Sequence, residues 1–241
     1  MTTKTNKLNW YCYRQTDGCG NKPICQYMRF DYLIQLLESG NYYVSRRNTF
    51  EDANERYKNK RLTFAYTPVG NNTYPQPKST ERIIPYTKIT DCPTACWSKN
   101  ENEQFLMWKC YATEMGACVR TTVHNFIASL QIDLDNNSEN IVVCGSMDYK
   151  IFIPSAIEEN QLFDKDKAYA DEKEFRFYFH LPTYNVNKNE KGILIPVDTK
   201  VLIDEIILSP FINKDAATKL AQMISNTYHV DVKLSNIKLK V

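Results

Sequence analysis

The chain has 241 residues, 43% of them hydrophobic, enough to bury a sizeable core in one domain or two small ones. Lys and Arg total 30 against 28 Asp and Glu, and this formal charge of +2 excludes a broad field that would draw in nucleic acid or an anionic membrane. No apolar run approaches the roughly 18 to 20 residues that cross a bilayer, and MTTKTNKLNW lacks the apolar centre of a secretion signal, so the expectation is a cytoplasmic protein without a membrane partner.

In that compartment the 8 cysteines read as reduced thiols, many of them packed as small hydrophobes. Zinc is disfavoured by spacing. Cys12, Cys19 and Cys25 form C-x6-C-x5-C rather than the short pairs of structural sites, Cys92 and Cys96 stand apart, and none of His124, His180 and His229 is near either group. No metal is expected.

Taken in chain order, Phe30, Leu33, Ile34 and Leu37 repeat at helical spacing and Gly40 follows as a terminator, which predicts a helix over 30–39. Residues 42–47 read as a strand. Thr49 and Asp52 suggest a capping box opening a short helix, and 62–66 another strand before a Pro-, Gly- and Asn-containing loop over 67–80. Lys58, Lys60 and Arg61 make a small basic patch, by default a solvated helix end.

A strand is expected from Pro93 to Ser98, then a helix over NEQFLMWKCYA whose near lack of polar residues places it in the interior. Gly116 separates it from the strand ACVRTT. VHNFIASLQ reads as a helix and 140–153 as strand-rich. Near the end come a strand over 203–208, a helix capped by Asn213 and a final strand over 230–239. The expected fold class is α+β, a single domain over 28–241 with mixed or antiparallel sheets and packed helices, preceded by an extension over 1–27.

The clearest period-two pattern lies in 172–179, with Lys173, Phe175, Phe177 and Phe179 on one face and Glu172, Glu174, Arg176 and Tyr178 on the other. On one strand the two acids would emerge about 6 to 7 Å apart. One reading is a solvated face on which Arg176 neutralises Glu174. The other is a carboxylate pair that stabilises an oxocarbenium-like centre while a sugar bond breaks.

The run CWSKNENEQFLMWKCYATEMGACVRTT, followed by KAYADEKEFRFYF, resembles a bacterial family known as domain of unknown function 2971. That family has a CFS strand, an MW-x-x-YA helix, a G-x-C strand and an E-x-E-W-R strand. The matching residues here are Cys96, Trp97 and Ser98, then Met107, Trp108, Tyr111 and Ala112, then Gly116 and Cys118, then Glu172, Glu174, Phe175 and Arg176. An earlier family turn, F-N-D-P-F-E, is met only by Phe50, Asp52 and Glu55. The resemblance covers roughly 28–225.

The order of parts is also similar to mono-ADP-ribosyltransferases of the Arg, Ser, Glu type. That resemblance implies an ADP-ribosyltransferase-like fold and NAD as substrate. Glu174 would hold the nicotinamide ribose, Glu172 would present the acceptor, and Ser98 would be a polar support, though a Ser at a strand end is more often a cap for the helix that follows. Arg46 or Arg47 would meet the phosphates, strand parity leaving the choice open, with Arg176 on the NAD-binding side of the acidic row. Trp97, Trp108 and Tyr111 would supply a stacking surface or, as bulky aromatics, simply core.

The implied activity is cleavage of the nicotinamide N-glycosidic bond with transfer to a macromolecular acceptor, protein or nucleic acid. A bacterial defence or toxin effector with an antitoxin or regulatory partner would fit. The alternatives are an NAD glycohydrolase and a non-catalytic protein- or nucleic-acid-binding module. Rossmann, P-loop, zincin and zinc-deaminase signatures are absent from the sequence.

Overall fold

The structure is a computed structural model that describes residues 10–12, 20–46, 49–50, 62–64, 67–68, 82–84, 93–132, 141–150, 163–181 and 191–239. Its elements in chain order are β1 (Trp10–Cys12), β2 (Pro23–Arg29), α1 (Phe30–Ser39), β3 (Asn41–Arg46), β4 (Leu62–Phe64), β5 (Thr67–Pro68), β6 (Arg82–Ile84) and β7 (Pro93–Ser98). Then follow α2 (Phe105–Met107), a π-helical turn (Trp108–Ala112), β8 (Gly116–Thr122), α3 (Val123–Ser129), β9 (Ile141–Ser146), β10 (Asp148–Lys150) and β11 (Asp164–Asp166). A 3-10 turn (Lys167–Glu172), β12 (Glu174–His180), β13 (Gly192–Pro196), α4 (Thr199–Leu202), β14 (Glu205–Leu208), α5 (Lys214–Tyr228) and β15 (Val232–Leu234) complete the chain. The fold is mixed α and β with mostly antiparallel pairing. Among the described residues no helix is long and apolar enough to cross a membrane.

Contacts group the chain into two compact units. One comprises Met1–Cys19, Tyr43–Cys96 and Ile132–Leu194, the other Gly20–Tyr42, Trp97–Gln131 and Ile195–Val241. Strand β2 runs across the expected boundary between residues 27 and 28.

In the second unit β2 lies antiparallel to β8, with Tyr27 opposite Cys118; β8 is antiparallel to β14, and β14 is parallel to β15. Helix α1 forms as its spacing predicts. It buries Leu33, Leu36 and Leu37 and stops at Gly40, whose φ of 61° lets its N–H reach back to the Leu36 carbonyl. Thr122 caps α3 by accepting from the Asn125 N–H, and Asn213 caps α5 by accepting from the N–H groups of Asp215 and Ala216.

The segment expected to be a central buried helix differs. Phe105, Leu106 and Tyr111 are exposed, while Trp108 is fully buried edge-on against Tyr27 at 4.9 Å. For Tyr111 the physical reason is the π turn, whose wider winding breaks the i, i+3 alignment with Trp108. Gly116 makes room for that turn, because a Cβ there would sit 2.2 Å from the Ala112 carbonyl oxygen.

In the first unit β12 is antiparallel to β9, with Phe177 opposite Cys144, and β9 is parallel to β1. Strands β10 and β11 form a parallel ribbon with Tyr149 opposite Lys165, and β3 is antiparallel to β7. Cys12 is disulfide-bonded, which corrects the expectation of reduced thiols at that position; Cys25, Cys96, Cys110, Cys118 and Cys144 form no disulfide. Spacing along a sequence does not reveal which cysteines a fold brings to bonding distance.

Candidate active site

Strand β12 is buried on both faces. Phe175, Phe177 and Phe179 fill one, as the alternation predicts, but Glu174, Arg176 and Tyr178 on the other are also buried. The reading of this face as solvated is therefore overturned: Phe163 packs edge-on against Tyr178 at 5.1 Å, and the Arg176 guanidinium lies 5.4 Å from the centre of the Phe50 ring.

The expectation that Glu172 shares this strand is also corrected. Glu172 ends the 3-10 turn, and Lys173, at φ 44°, turns the chain before β12 begins. A left-handed backbone is unusual for a lysine and costs about 1 kcal/mol or more. The strand is then anchored through the backbone of Glu174, whose N–H donates to the Tyr149 hydroxyl at 2.6 Å and whose carbonyl accepts from the Met147 N–H at 3.0 Å.

Arg176 grips Glu174 in a fork, Nε donating to Oε1 at 2.7 Å and Nη2 to Oε2 at 2.8 Å. Its Nη1 also donates to the Tyr178 hydroxyl at 3.3 Å. Lys165 from β11 places its ammonium 3.0 Å from Glu174 Oε2 and 2.5 Å from Glu172 Oε2. The Cys96 thiol adds a further hydrogen bond to the Glu174 carboxylate.

The result is a row of alternating charge, Arg176, Glu174, Lys165, Glu172, in which side-chain exposure rises from 1% to 6%, 8% and 14%. Glu172 is its outermost carboxylate. A carboxylate offers about four lone-pair positions, and Arg176, Lys165 and Cys96 between them account for four bonds to Glu174.

Burial alone would raise the pKa of Glu174, but the charges of Arg176 and Lys165 and their hydrogen bonds outweigh it and bring it down to about 2. Burial likewise opposes the Lys165 ammonium, and the adjacent charges of Glu174 and Glu172 hold its pKa above the ordinary lysine range. The phenol of Tyr149 is pushed up to about 12, chiefly by burial. Both carboxylate and ammonium in the interior of the row are therefore charged at neutral pH.

The other predicted residues fall as follows. Arg46 is buried at the end of β3, where its N–H donates to the Lys191 carbonyl at 2.9 Å; Arg47, Asp52, Glu55 and the basic patch of Lys58, Lys60 and Arg61 lie outside the described residues. Ser98, Trp97, Trp108 and Tyr111 belong to the second unit.

Ser98 does not cap a helix. Its Oγ accepts from the N–H and Nδ2 of Asn100 at 3.2 and 3.0 Å, whereas α2 starts from Gln104 without a side-chain cap. Trp97 and Trp108 are core. Trp97 stacks on Tyr42 at 6.1 Å and meets Phe126 at 5.4 Å, and Trp108 donates from Nε1 to Glu103 at 3.1 Å. Buried indoles of this kind offer no stacking face to a ligand.

Sequence reasoning missed Lys165 and Tyr149, and named Cys96 without placing it beside Glu174. Lys165 sits in a three-residue strand with no periodicity to read, and only the fold brings it between two glutamates. Among the described residues no three His, Cys, Asp or Glu side chains converge to hold a metal. No protein-family model matches the chain, and no curated protein matches it either.

Proposed function

We propose that the chain splits the nicotinamide N-glycosidic bond of NAD in the manner of a mono-ADP-ribosyltransferase, with Glu172 as the carboxylate that meets the substrate and Glu174 as the group that positions it. The observation that carries this reading is the rise in exposure along the charged row: Glu174 is enclosed by its partners, and Glu172, tethered by the same lysine, is the acid nearest solvent. The resemblance of the E-x-E-x-R segment to transferases that bind NAD supports the choice of substrate. An ADP-ribosyltransferase-like fold belongs to the same proposal.

In this reaction the bond between the ribose C1′ and the pyridinium nitrogen breaks, and its electron pair stays on the ring, which leaves as neutral nicotinamide. Positive charge develops at C1′ and the ring oxygen of the ribose. An anion fixed beside that centre stabilises the transition state more than the ground state. The acceptor's oxygen or nitrogen then bonds to C1′ and gives up its proton. With water as acceptor the same chemistry is glycohydrolysis.

A second reading has its own observation. Arg176 and Lys165 satisfy Glu174 so fully that the row also serves as a buried ion cluster of a non-catalytic binding module. Nicotinamide release from NAD, measured for wild type, Glu172→Gln and Glu174→Gln with and without cell lysate, separates the two. Release that Glu172→Gln abolishes supports the enzyme; lysate dependence assigns transfer over hydrolysis. No release by folded wild-type protein under either condition leaves the module.

A further inference from the structure

The 3-10 turn that ends in Glu172 also carries Tyr169. In such a turn residues three apart eclipse one another, so the two side chains stack along one edge, separated by about 6 Å of rise. Lys165 confirms the alignment independently: its ammonium lies 4.8 Å from the centre of the Tyr169 ring and 2.5 Å from Glu172 Oε2. Tyr169 is 38% exposed, in contrast to the buried Trp97 and Trp108. An aromatic plane and a carboxylate at this separation match one nucleoside, with the base on the ring and the sugar at the acid.

We infer that Tyr169 is the platform for the nicotinamide ring, and that Lys165 behind it tunes the platform towards the uncharged ring. This rests on the assignment of Glu172 as the substrate-facing acid. An aromatic face attracts cations through its π density, and a cation already held against the ring weakens that attraction for a second one. The bound substrate carries a pyridinium; the departing product is neutral. Tyr169 backed by Lys165 thus favours the ring as it becomes neutral, while Glu172 favours the ribose as it becomes positive. Both preferences grow along the same bond-breaking coordinate, which is the condition for raising kcat rather than merely binding substrate.

Two probes that need no turnover test the idea: nicotinamide and the permanently charged 1-methylnicotinamide, each titrated into the full chain and followed by saturation-transfer NMR. The expected result is a preference for neutral nicotinamide of about tenfold, lost in Tyr169→Ala and retained in Tyr169→Phe. In NAD cleavage, Tyr169→Ala should lower kcat by about tenfold with little change in KM. Equal or tighter binding of the charged probe, absence of nicotinamide binding, or unchanged binding in folded Tyr169→Ala overturns the inference. Glu172-dependent NAD cleavage that Tyr169→Ala leaves at the wild-type rate overturns it while sparing the proposed activity. Tyr169-dependent, neutral-selective binding without NAD cleavage does the reverse.

Discussion

Arg176 holds both oxygens of Glu174, two residues away along the same buried strand, through bonds of 2.7 and 2.8 Å. A pair made so close in sequence usually lies on a wet surface, where it contributes little. Here the guanidinium is almost wholly enclosed, so loss of its partner leaves a charge that water cannot reach.

Glu174→Gln keeps the shape of the side chain and removes the charge that Arg176 and Lys165 face, so it should destabilise the fold by about 3 to 5 kcal/mol. Glu172→Gln leaves Lys165 still paired with Glu174 and should cost less, about 1 to 2 kcal/mol. Urea unfolding of the two variants beside wild type measures the difference; equal effects would contradict the exposure gradient.

Acid should act through the same group. The pKa of Glu174 falls from 4.5 to about 2 on folding, so its contribution is present above pH 4.5 and is lost as pH drops towards 2, a total of about 3 kcal/mol. Lys165 has the opposite sign: its raised pKa means that its contribution is complete below the ordinary lysine range and fades as pH climbs beyond it. Unfolding free energy measured between pH 6 and 2 should therefore decline more steeply in wild type than in Glu174→Gln.

Tyr149→Phe removes the hydroxyl that accepts the Glu174 N–H at the first residue of β12. A buried donor left without its acceptor costs about 1 to 3 kcal/mol. Thermal unfolding should register that loss, and amide exchange at Glu174 should accelerate. In wild type the absorbance of the Tyr149 phenolate should emerge only near pH 12.

Gly116→Ala introduces a methyl group 2.2 Å from a backbone oxygen of the π turn. Because that atom is main chain, the turn itself must move, and a destabilisation of about 2 to 3 kcal/mol is expected. Fluorescence of Trp108, buried in the same turn, reports the rearrangement. An unshifted spectrum with unchanged stability would refute this account.

Much of the scaffold was legible because local periodicity and local burial agree. The apolar stripe of α1 with Gly40 behind it, the phenylalanines of β12 and the Asn213 cap each declare themselves within one short segment. The site was less legible. Three members of the charged row, Glu172, Glu174 and Arg176, could be named, but not that Lys173 adopts a left-handed backbone and takes Glu172 off the strand, since lysine gives no hint of such a turn. Nor does a π turn leave a signature in composition, so Tyr111 could not be separated from Trp108. Lys165 reaches Glu172 and Glu174 across the intervening 3-10 turn, seven and nine residues away, a separation that no period in the sequence marks.

The alternation of sign along Arg176, Glu174, Lys165 and Glu172 also constrains how this protein can drift. Neither Arg176 nor Glu174, the two most deeply buried members, can be exchanged alone without stranding a neighbour, yet a coordinated swap of both for apolar side chains, which leaves Lys165 paired with Glu172, is energetically open. Arg176 and Glu174 are therefore expected to vary jointly or not at all, whereas Glu172, whose exchange leaves Lys165 paired with Glu174, is the position at which the fold can tolerate a single change and, on the proposed activity, catalysis would register it.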